Sequence, residues 1–269
     1  MRILKLGVIG AGFVGGSVIH GFIDKATVDV VDPKHSPLTI EQLVFDSDPS
    51  IIFICVPTPE SASGEVDVSI TNAVLGELDD LGFLGVVVIK STITADHLQR
   101  IEKDFFRLRM VYNPEFLTEA NAHYDFCNPA MQILGGKWES CEEVERAYVQ
   151  YSSVKVVPTF KTDMTTASML KYAINSYLAT KVIFMNELRD MFEATGTDTS
   201  WEQFTEMLAC DKRIGDSHLQ VPGPDGKFGF GGHCFPKDTA ALEYYARSLG
   251  VDLTVLSQAM IKNETARKN

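Results

Sequence analysis

At 269 residues with 45% hydrophobic content, the chain is long enough for one large or two medium domains, each with a full core. Its 36 acidic and 24 basic residues leave a net charge of −12, which works against non-specific binding to nucleic acid or anionic membranes, so an anionic ligand must be held by local features. The five cysteines, at 55, 127, 141, 210 and 234, form neither a C-x-x-C pair nor a metal-like spacing, and an odd, scattered set fits a reducing compartment.

Residues 3–9 are an apolar run that reads as a strand, with no signal-peptide layout before it. The run ends in Gly10-Ala11-Gly12-Phe13-Val14-Gly15; a helix pattern follows to about Asp24, then a second strand, 28–32, ending in Asp32. This is G-x-G-x-x-G between a strand and a helix. The glycines permit a tight turn and let backbone amides reach a pyrophosphate at the helix N-terminus, which makes Gly10, Gly12, Phe13, Val14 and Gly15 candidate cofactor contacts. Asp32 is placed to accept hydrogen bonds from adenosine ribose hydroxyls. A carboxylate there repels a 2′-phosphate and favours NAD over NADP; Lys34 and His35 just beyond temper that preference.

A short helix is expected over 40–45 and a third, buried strand over 50–56. That strand ends in Val56-Pro57-Thr58-Pro59, stiff and at the carboxyl edge of the sheet, where ligands of open α/β sheets bind. Thr58 there is either a cofactor contact or part of a proline-rich turn. A helix over 69–81 leads to strand 86–90 and then Ser91-Thr92, whose hydroxyls suit binding of substrate or a water, or capping of the helix from Thr94. Strand 109–112 leads to Asn113-Pro114-Glu115-Phe116-Leu117-Thr118-Glu119. If this turn is helical, Glu115 and Glu119 share a face and suit general-base work; a solvated acidic loop has the same composition. Residues 131–134 and 154–157 read as two more strands. Strands and helices thus alternate to about residue 158, as a doubly wound, mostly parallel sheet of Rossmann type requires. No apolar run is long enough to span a bilayer, and the chain reads as cytoplasmic, with neither a membrane nor a nucleic-acid partner.

Character changes near Pro158. Residues 162–194 are helical in pattern with no internal proline or glycine, roughly 48 Å at ~1.5 Å per residue. Lys171 and Asn175 share a face of that helix. Pointing together into a cleft they would stabilise an oxyanion or hold a sugar hydroxyl; the same spacing also arises from a surface lysine with an unrelated polar neighbour. A second helix follows over 198–209, then a loop carrying Arg213, then Phe228-Gly229-Phe230-Gly231-Gly232-His233-Cys234-Phe235-Pro236-Lys237-Asp238. A helix is expected over 237–249, with proline suited to its first turn, and a last one from 253. Cys234 then lies just ahead of a helix N-terminus with Lys237 nearby, two features that favour a nucleophilic thiolate. A lone cysteine is commonly a buried, inert one, but the glycines before it and the charges after it favour the reactive reading. The expected division is a NAD-binding domain, 1–158, and an all-helical central domain, 159–269, carrying the cysteine loop.

Laid out in this order, the segments resemble the UDP-glucose/GDP-mannose dehydrogenase family over nearly the whole chain. The resemblance is carried by Gly10 to Gly15, Val56-Pro57-Thr58-Pro59, Lys90-Ser91-Thr92, Asn113-Pro114-Glu115-Phe116-Leu117, Lys171 with Asn175, and Phe228 to Asp238. It implies oxidation of C6 of a nucleotide sugar from alcohol to acid with two NAD reduced, UDP-glucose being the expected sugar and polysaccharide synthesis the setting. Cys234 would attack the aldehyde of the first oxidation; the second would leave a thioester for water to hydrolyse. Lys171 and Asn175 match the family's oxygen-stabilising residues, and Asp238 one that assists proton transfer. Thr92, Glu115 and Glu119 match residues around the hydrolytic water, with Glu115 the base. The resemblance puts Val56, Pro57, Thr58, Thr92, Glu119 and Lys237 against the cofactor. It puts Glu115, Phe116, Leu117, Lys171, Asn175, Phe228 and Gly231 against the substrate. Arg213 would reach the substrate of a neighbouring subunit, which implies a homodimer through the long helix. No metal is implied.

Two departures accompany the resemblance. The stretch between Asp32 and Val56 is shorter than the family's, and the family continues past the last helix into a second nucleotide-binding-like domain, so this chain is expected to be a short member or an N-terminal portion. Three alternatives stand beside the leading reading. One is the same chemistry on GDP-mannose or a UDP-N-acetylhexosamine. Another is a non-catalytic NAD-binding homologue that needs a partner chain, against which the intact Cys234, Lys171, Asn175 and Asp238 argue. The third is a simple β-hydroxyacid dehydrogenase, which would have no use for Cys234.

Overall fold

A computed structural model describes residues 3–61, 64–118 and 120–268. The chain divides into two compact units, Met1–Ser61 with Val66–Lys171 and Ala62–Glu65 with Tyr172–Asn269.

The first unit is built on a seven-stranded sheet in the order β2-β1-β3-β4-β5-β6-β7. Its strands are β1 (Lys5–Ile9), β2 (Thr27–Val31), β3 (Ile51–Ile54), β4 (Val86–Ile89), β5 (Arg109–Tyr112), β6 (Gln132–Gly136) and β7 (Thr159–Thr162). Strands β1 to β5 are parallel; β6 pairs antiparallel with β5, and β7 runs with β6. The central strands β3 and β4 are buried at every residue, so they read as unbroken apolar runs, which a sheet covered on both faces requires. The intervening helices are α1 (Phe13–Phe22), α2 (Ile40–Gln42), α3 (Ser69–Asp80), α4 (Ala95–Asp104), α5 (Ala122–Cys127) and α6 (Trp138–Tyr151). One core is formed by Leu6, Val8, Val18, Phe22, Ile51, Phe53, Val86, Val88, Val111 and Tyr148, each side chain stabilising the fold by about 1.5–3 kcal/mol on burial.

Register sets the edge of this sheet. The amides of Gly10, Cys55, Lys90 and Asn113 donate to the carbonyls of Val31, Ile9, Ile54 and Ile89 at 2.8–2.9 Å. The residues that leave β2, β1, β3, β4 and β5 (Asp32, Gly10, Cys55, Lys90 and Asn113) therefore stand in one row. Strand order reverses between β1 and β3, the position at which an open α/β sheet has its ligand crevice.

Helix α7 (Met164–Ala194) starts on Asp163, whose carboxylate accepts the Thr166 amide at 2.8 Å, and runs 31 residues, about 46 Å at 1.5 Å per residue. Its last 23 residues belong to the second unit with α8 (Trp201–Ala209), α9 (Cys234–Ser248) and α10 (Thr254–Ala266). Two apolar clusters hold that unit. One joins Ala179, Ile183, Phe230 and Ala259. The other joins Met185, Trp201, Leu219 and Val221, with Phe192 edge-on and Phe204 tilted against Trp201. Among the described residues no helix is long and apolar enough to cross a membrane.

Three local expectations are corrected. Residues 154–157 are not a strand: the Lys155 amide bonds to the Cys127 carbonyl at 2.9 Å and Val156 is 76% exposed, and the strand that pairs with β6 begins at Thr159. The helix expected from Ile40 keeps only three α-helical residues, closed by a Thr39–Gln42 capping box, before a π-helical turn, Leu43–Ser47, that ends in left-handed Asp48 (φ 50°). The segment 113–118 is irregular, so it offers Glu115 no helical face to share, and Glu119 lies outside the described residues.

Candidate active site

The glycine loop between β1 and α1 has a separate reason for each glycine. Gly10 has φ +90°, and a Cβ there would lie 2.6 Å from the Cys55 carbonyl oxygen. A Cβ at Gly15 would lie 1.8 Å from the Gly10 carbonyl oxygen, so α1 packs onto the loop only with glycine there. Gly12 faces open space and is the N-cap of α1 with no side-chain cap. Helix-start amides that no side chain covers, beside a residue with no Cβ, fit a pyrophosphate. Asp32 buttresses the loop: its Oδ2 accepts the Ala11 amide and its Oδ1 the Lys34 amide, both at 2.8 Å. These backbone hydrogen bonds hold its carboxyl below the usual range and keep it a charged acceptor at the end of β2. Phe13 and Val14 open α1.

The next exits are stitched together. The Ser91 hydroxyl donates to the Val56 carbonyl at 2.6 Å and the Thr58 hydroxyl to the Thr92 carbonyl at 3.0 Å, linking the turn after β3, through Pro57, to the turn after β4. Thr94 engages His97 across 2.9 Å.

Sequence reasoning missed a buried polar cluster beside this edge. Lys90 Nζ donates to Asn113 Oδ1 at 2.9 Å and to the Asn113 carbonyl at 3.2 Å; the Tyr148 hydroxyl donates to the same Oδ1 at 2.7 Å; and Asn113 Nδ2 donates to the Ile133 carbonyl at 2.8 Å. Burial pushes the Lys90 ammonium down to about 8. Asn113, saturated in this way, anchors the loop that carries Glu115. A lysine directly after four apolar strand residues was the available signal.

Glu115 and Lys171 form a buried ion pair. Glu115 Oε1 accepts Lys171 Nζ at 3.0 Å, its Oε2 accepts the Leu117 amide at 2.7 Å, and Lys171 also donates to the Glu115 carbonyl. The Lys171 ammonium lies 5.2 Å over the Phe116 ring. Burial works to raise the Glu115 pKa, but the Lys171 charge and the Leu117 amide prevail and hold the carboxyl below its ordinary range.

In the second unit, Cys234 is itself the first residue of α9, not a residue ahead of it; Pro236 falls in the first turn, where its missing N–H costs nothing. Asp238 stands one turn on and is 1% exposed. Its Oδ2 accepts the Asn175 side-chain amide at 2.6 Å and its Oδ1 accepts Lys237 Nζ at 2.7 Å. Lys237 is thus an ion-pair partner of Asp238. Lys171 and Asn175 are one turn apart on α7.

Of the remaining expected substrate residues, Phe228 packs against the Met185–Trp201 cluster with the Arg189 guanidinium 5.5 Å over its ring. Gly231 lies under the Arg267 guanidinium, 2.6 Å from where a Cβ would stand. Arg213 is 89% exposed and pairs with Asp211 at 2.6 Å. The loop that carries it is tied to α7 by Lys181 Nζ, which donates to the Ile214 and Ser217 carbonyls at 3.0 and 2.6 Å.

Residues 38–152 match the NAD binding domain of the UDP-glucose/GDP-mannose dehydrogenase family, and residues 165–265 match the central domain of the same family. The chain is 30% identical over 303 residues to UDP-glucose 6-dehydrogenase TuaD of Bacillus subtilis, covering 98% of this chain and 63% of that protein. It is 34% identical over 221 residues to UDP-glucose 6-dehydrogenase of Rickettsia bellii, covering 80% of this chain and 49% of that protein. The chain therefore spans about half to two thirds of the length of these curated relatives. A solved UDP-glucose dehydrogenase from Pyrobaculum islandicum superposes with a TM-score of 0.82 at 25% identity, over 98% of this chain and 68% of that one.

Proposed function

We propose that this chain, which belongs to the UDP-glucose/GDP-mannose dehydrogenase family, oxidises the C6 hydroxyl of a nucleotide sugar to the carboxylate, with UDP-glucose as the sugar. NAD is the cofactor, and when bound it supplies the hydride acceptor for both oxidations. The observation that carries the reading is Cys234 at the first position of α9 with buried Asp238 one turn behind it, held by Asn175 and Lys237.

The roles follow from chemistry. The C6 alcohol gives up a hydride and its hydroxyl proton to become an aldehyde, with Asp238 accepting the proton. The Cys234 sulfur adds to the aldehyde carbon, forming a C–S bond and an oxyanion that the Lys171 ammonium and Asn175 amide stabilise. Loss of a second hydride from that carbon leaves a thioester. Water then attacks the acyl carbon, Glu115 takes its proton, the C–S bond breaks, and the thiol and sugar carboxylate are released. Glu115 is held ionised by Lys171, the state a base needs. Each sugar thus consumes two NAD and one water.

By the family resemblance Gly10, Gly12, Phe13, Val14, Gly15 and Asp32 would hold the cofactor, with Val56, Pro57, Thr58, Thr92, Glu119 and Lys237 as its further contacts. The same resemblance assigns Glu115, Phe116, Leu117, Lys171, Asn175, Phe228 and Gly231 to the substrate. Residues 1–158 act as the NAD-binding domain and 159–269, which open with β7 and are helical from α7 on, as the catalytic domain of a cytoplasmic homodimer. Leu170, Tyr177, Phe184 and Met191 support the dimer: they recur every seven residues on α7 and all are exposed. The exposed Arg213 is then available to a neighbouring subunit's substrate.

The test is NADH formed per UDP-glucose consumed by the purified chain. Two NADH per sugar supports the reading. One NADH with accumulated aldehyde, or none with NAD bound, overturns it for UDP-glucose; GDP-mannose and UDP-N-acetylhexosamines are then assayed in the same way.

A further inference from the structure

We propose that Asn263, on α10, is a positioning residue for Cys234. The proposal rests on the reading of Cys234 as the nucleophile. The five residues Phe228–Gly232 before the cysteine have no regular structure, and three of them are glycines. Gly229 and Gly232 both have φ +72°, a left-handed geometry that a free glycine adopts only as one state among many. Something outside the loop must select it.

The selection comes from two asparagines. The Phe230 amide donates to Asn263 Oδ1 at 2.7 Å and Asn263 Nδ2 donates to the Phe230 carbonyl at 3.0 Å, so one carboxamide closes both backbone groups of one loop residue. The Gly229 amide donates to Asn186 Oδ1 at 2.9 Å, and Asn186 is itself oriented by donating to the Val182 carbonyl at 2.7 Å. The glycines make room for this clamp. A Cβ at Gly229 would lie 2.3 Å from Asn263 Oδ1, and one at Gly231 would lie 2.6 Å from the Arg267 guanidinium. Arg267 is anchored in turn on Asp225 at 2.7 Å. Phe230 points its ring into the Ala179–Ile183–Ala259 cluster, against Phe235.

The backbone path into the first residue of α9 is therefore set from α10. A thiolate at a helix start is favoured by the positive end of the helix, an advantage confined to the first turn. Loosening the loop frays that turn and removes the advantage. An asparagine that only satisfied loop hydrogen bonds would change stability but not the reactivity of Cys234 in folded molecules.

The experiment compares the full chain with Asn263→Ala and Asn263→Asp, each checked for folding by circular dichroism and for NAD binding by titration. Alkylation of Cys234 by iodoacetamide is followed by peptide mass spectrometry from pH 7 to pH 10, with exposed Cys210 as the internal reference. At pH 7, Asn263→Ala is expected to alkylate Cys234 roughly tenfold more slowly relative to Cys210, with the deficit closing towards pH 10. Asn263→Asp keeps an acceptor for the Phe230 amide and is expected to recover part of the loss; it also carries the test if the alanine variant does not fold. Wild-type Cys234 rates at every pH in a folded variant overturn the proposal. Alkylation does not depend on turnover, so a clamp effect in a chain that forms no NADH from UDP-glucose leaves the positioning role standing and removes only the functional reading.

Discussion

Asn175 donates its side-chain amide to Asp238 Oδ2 at 2.6 Å, and Asp238 follows Cys234 by one turn of α9. Asp238 also accepts from Lys237, so both of its oxygens are committed to donors. Asp238→Asn turns one oxygen into an amide that faces a donor. A folded-state cost of about 1–3 kcal/mol is expected in urea unfolding. NADH formation is expected to fall roughly a hundredfold or more, the scale of a lost proton-transfer group. A variant that keeps wild-type turnover removes Asp238 from the chemistry.

The Glu115–Lys171 pair is expected to behave as a buried ion pair whose halves cannot be separated cheaply. Glu115→Leu or Lys171→Met alone leaves a buried charge without its counter-ion and is expected to cost about 3–5 kcal/mol; the two substitutions combined are expected to cost less than the sum. The sign with pH follows from the lowered Glu115 pKa. Its contribution is fully present above the ordinary glutamate value of 4.5 and is lost as pH falls through the lower folded value. The difference in unfolding free energy between wild type and Glu115→Gln should therefore be level from pH 7 to about 5 and shrink below it. A level difference down to pH 3 would show that the carboxyl is not held ionised.

The glycine loop offers a matched pair of substitutions. Gly15→Ala drives a Cβ to 1.8 Å from the Gly10 carbonyl oxygen, and a loss of about 3 kcal/mol or more is expected in thermal unfolding. Gly12→Ala meets nothing within 4 Å and is expected to leave stability within about 1 kcal/mol. It nevertheless occupies the space a pyrophosphate needs and is expected to weaken NAD roughly tenfold or more in a fluorescence titration. Wild-type NAD binding by Gly12→Ala would place the cofactor elsewhere.

Much of the NAD-binding unit was legible in the chain because its strands are continuous apolar runs and each chemical block begins just past a strand end. Gly10, Lys90 and Asn113 follow their strands directly, and parallel register then lines them up. What escaped had no local signal. Tyr148 reaches Asn113 from α6, thirty-five residues away, and within its own segment it is one more core aromatic. Asn186 and Asn263 stand beside other polar helix residues, Glu187 and Lys262 with Glu264, and only the fold brings them to the cysteine loop. The false strand at 154–157 is a valine-rich stretch beside a proline, where composition imitates a strand but no neighbour pairs with it. The early start of α9 was obscured by Pro236, which fits a helix's first turn at more than one offset.

The central claim is covalent chemistry at Cys234. The most direct measurement is peptide mass spectrometry of the chain acid-quenched during turnover with UDP-glucose and NAD, using wild type, Glu115→Gln to slow hydrolysis, and Cys234→Ser. The prediction is a hydroxylamine-labile sugar-nucleotide acyl mass on the Cys234 peptide, enriched in Glu115→Gln and absent from Cys234→Ser, whose turnover stops at the aldehyde. Two NADH per sugar from Cys234→Ser at the wild-type rate, with Cys234 of the wild type never modified, would contradict it.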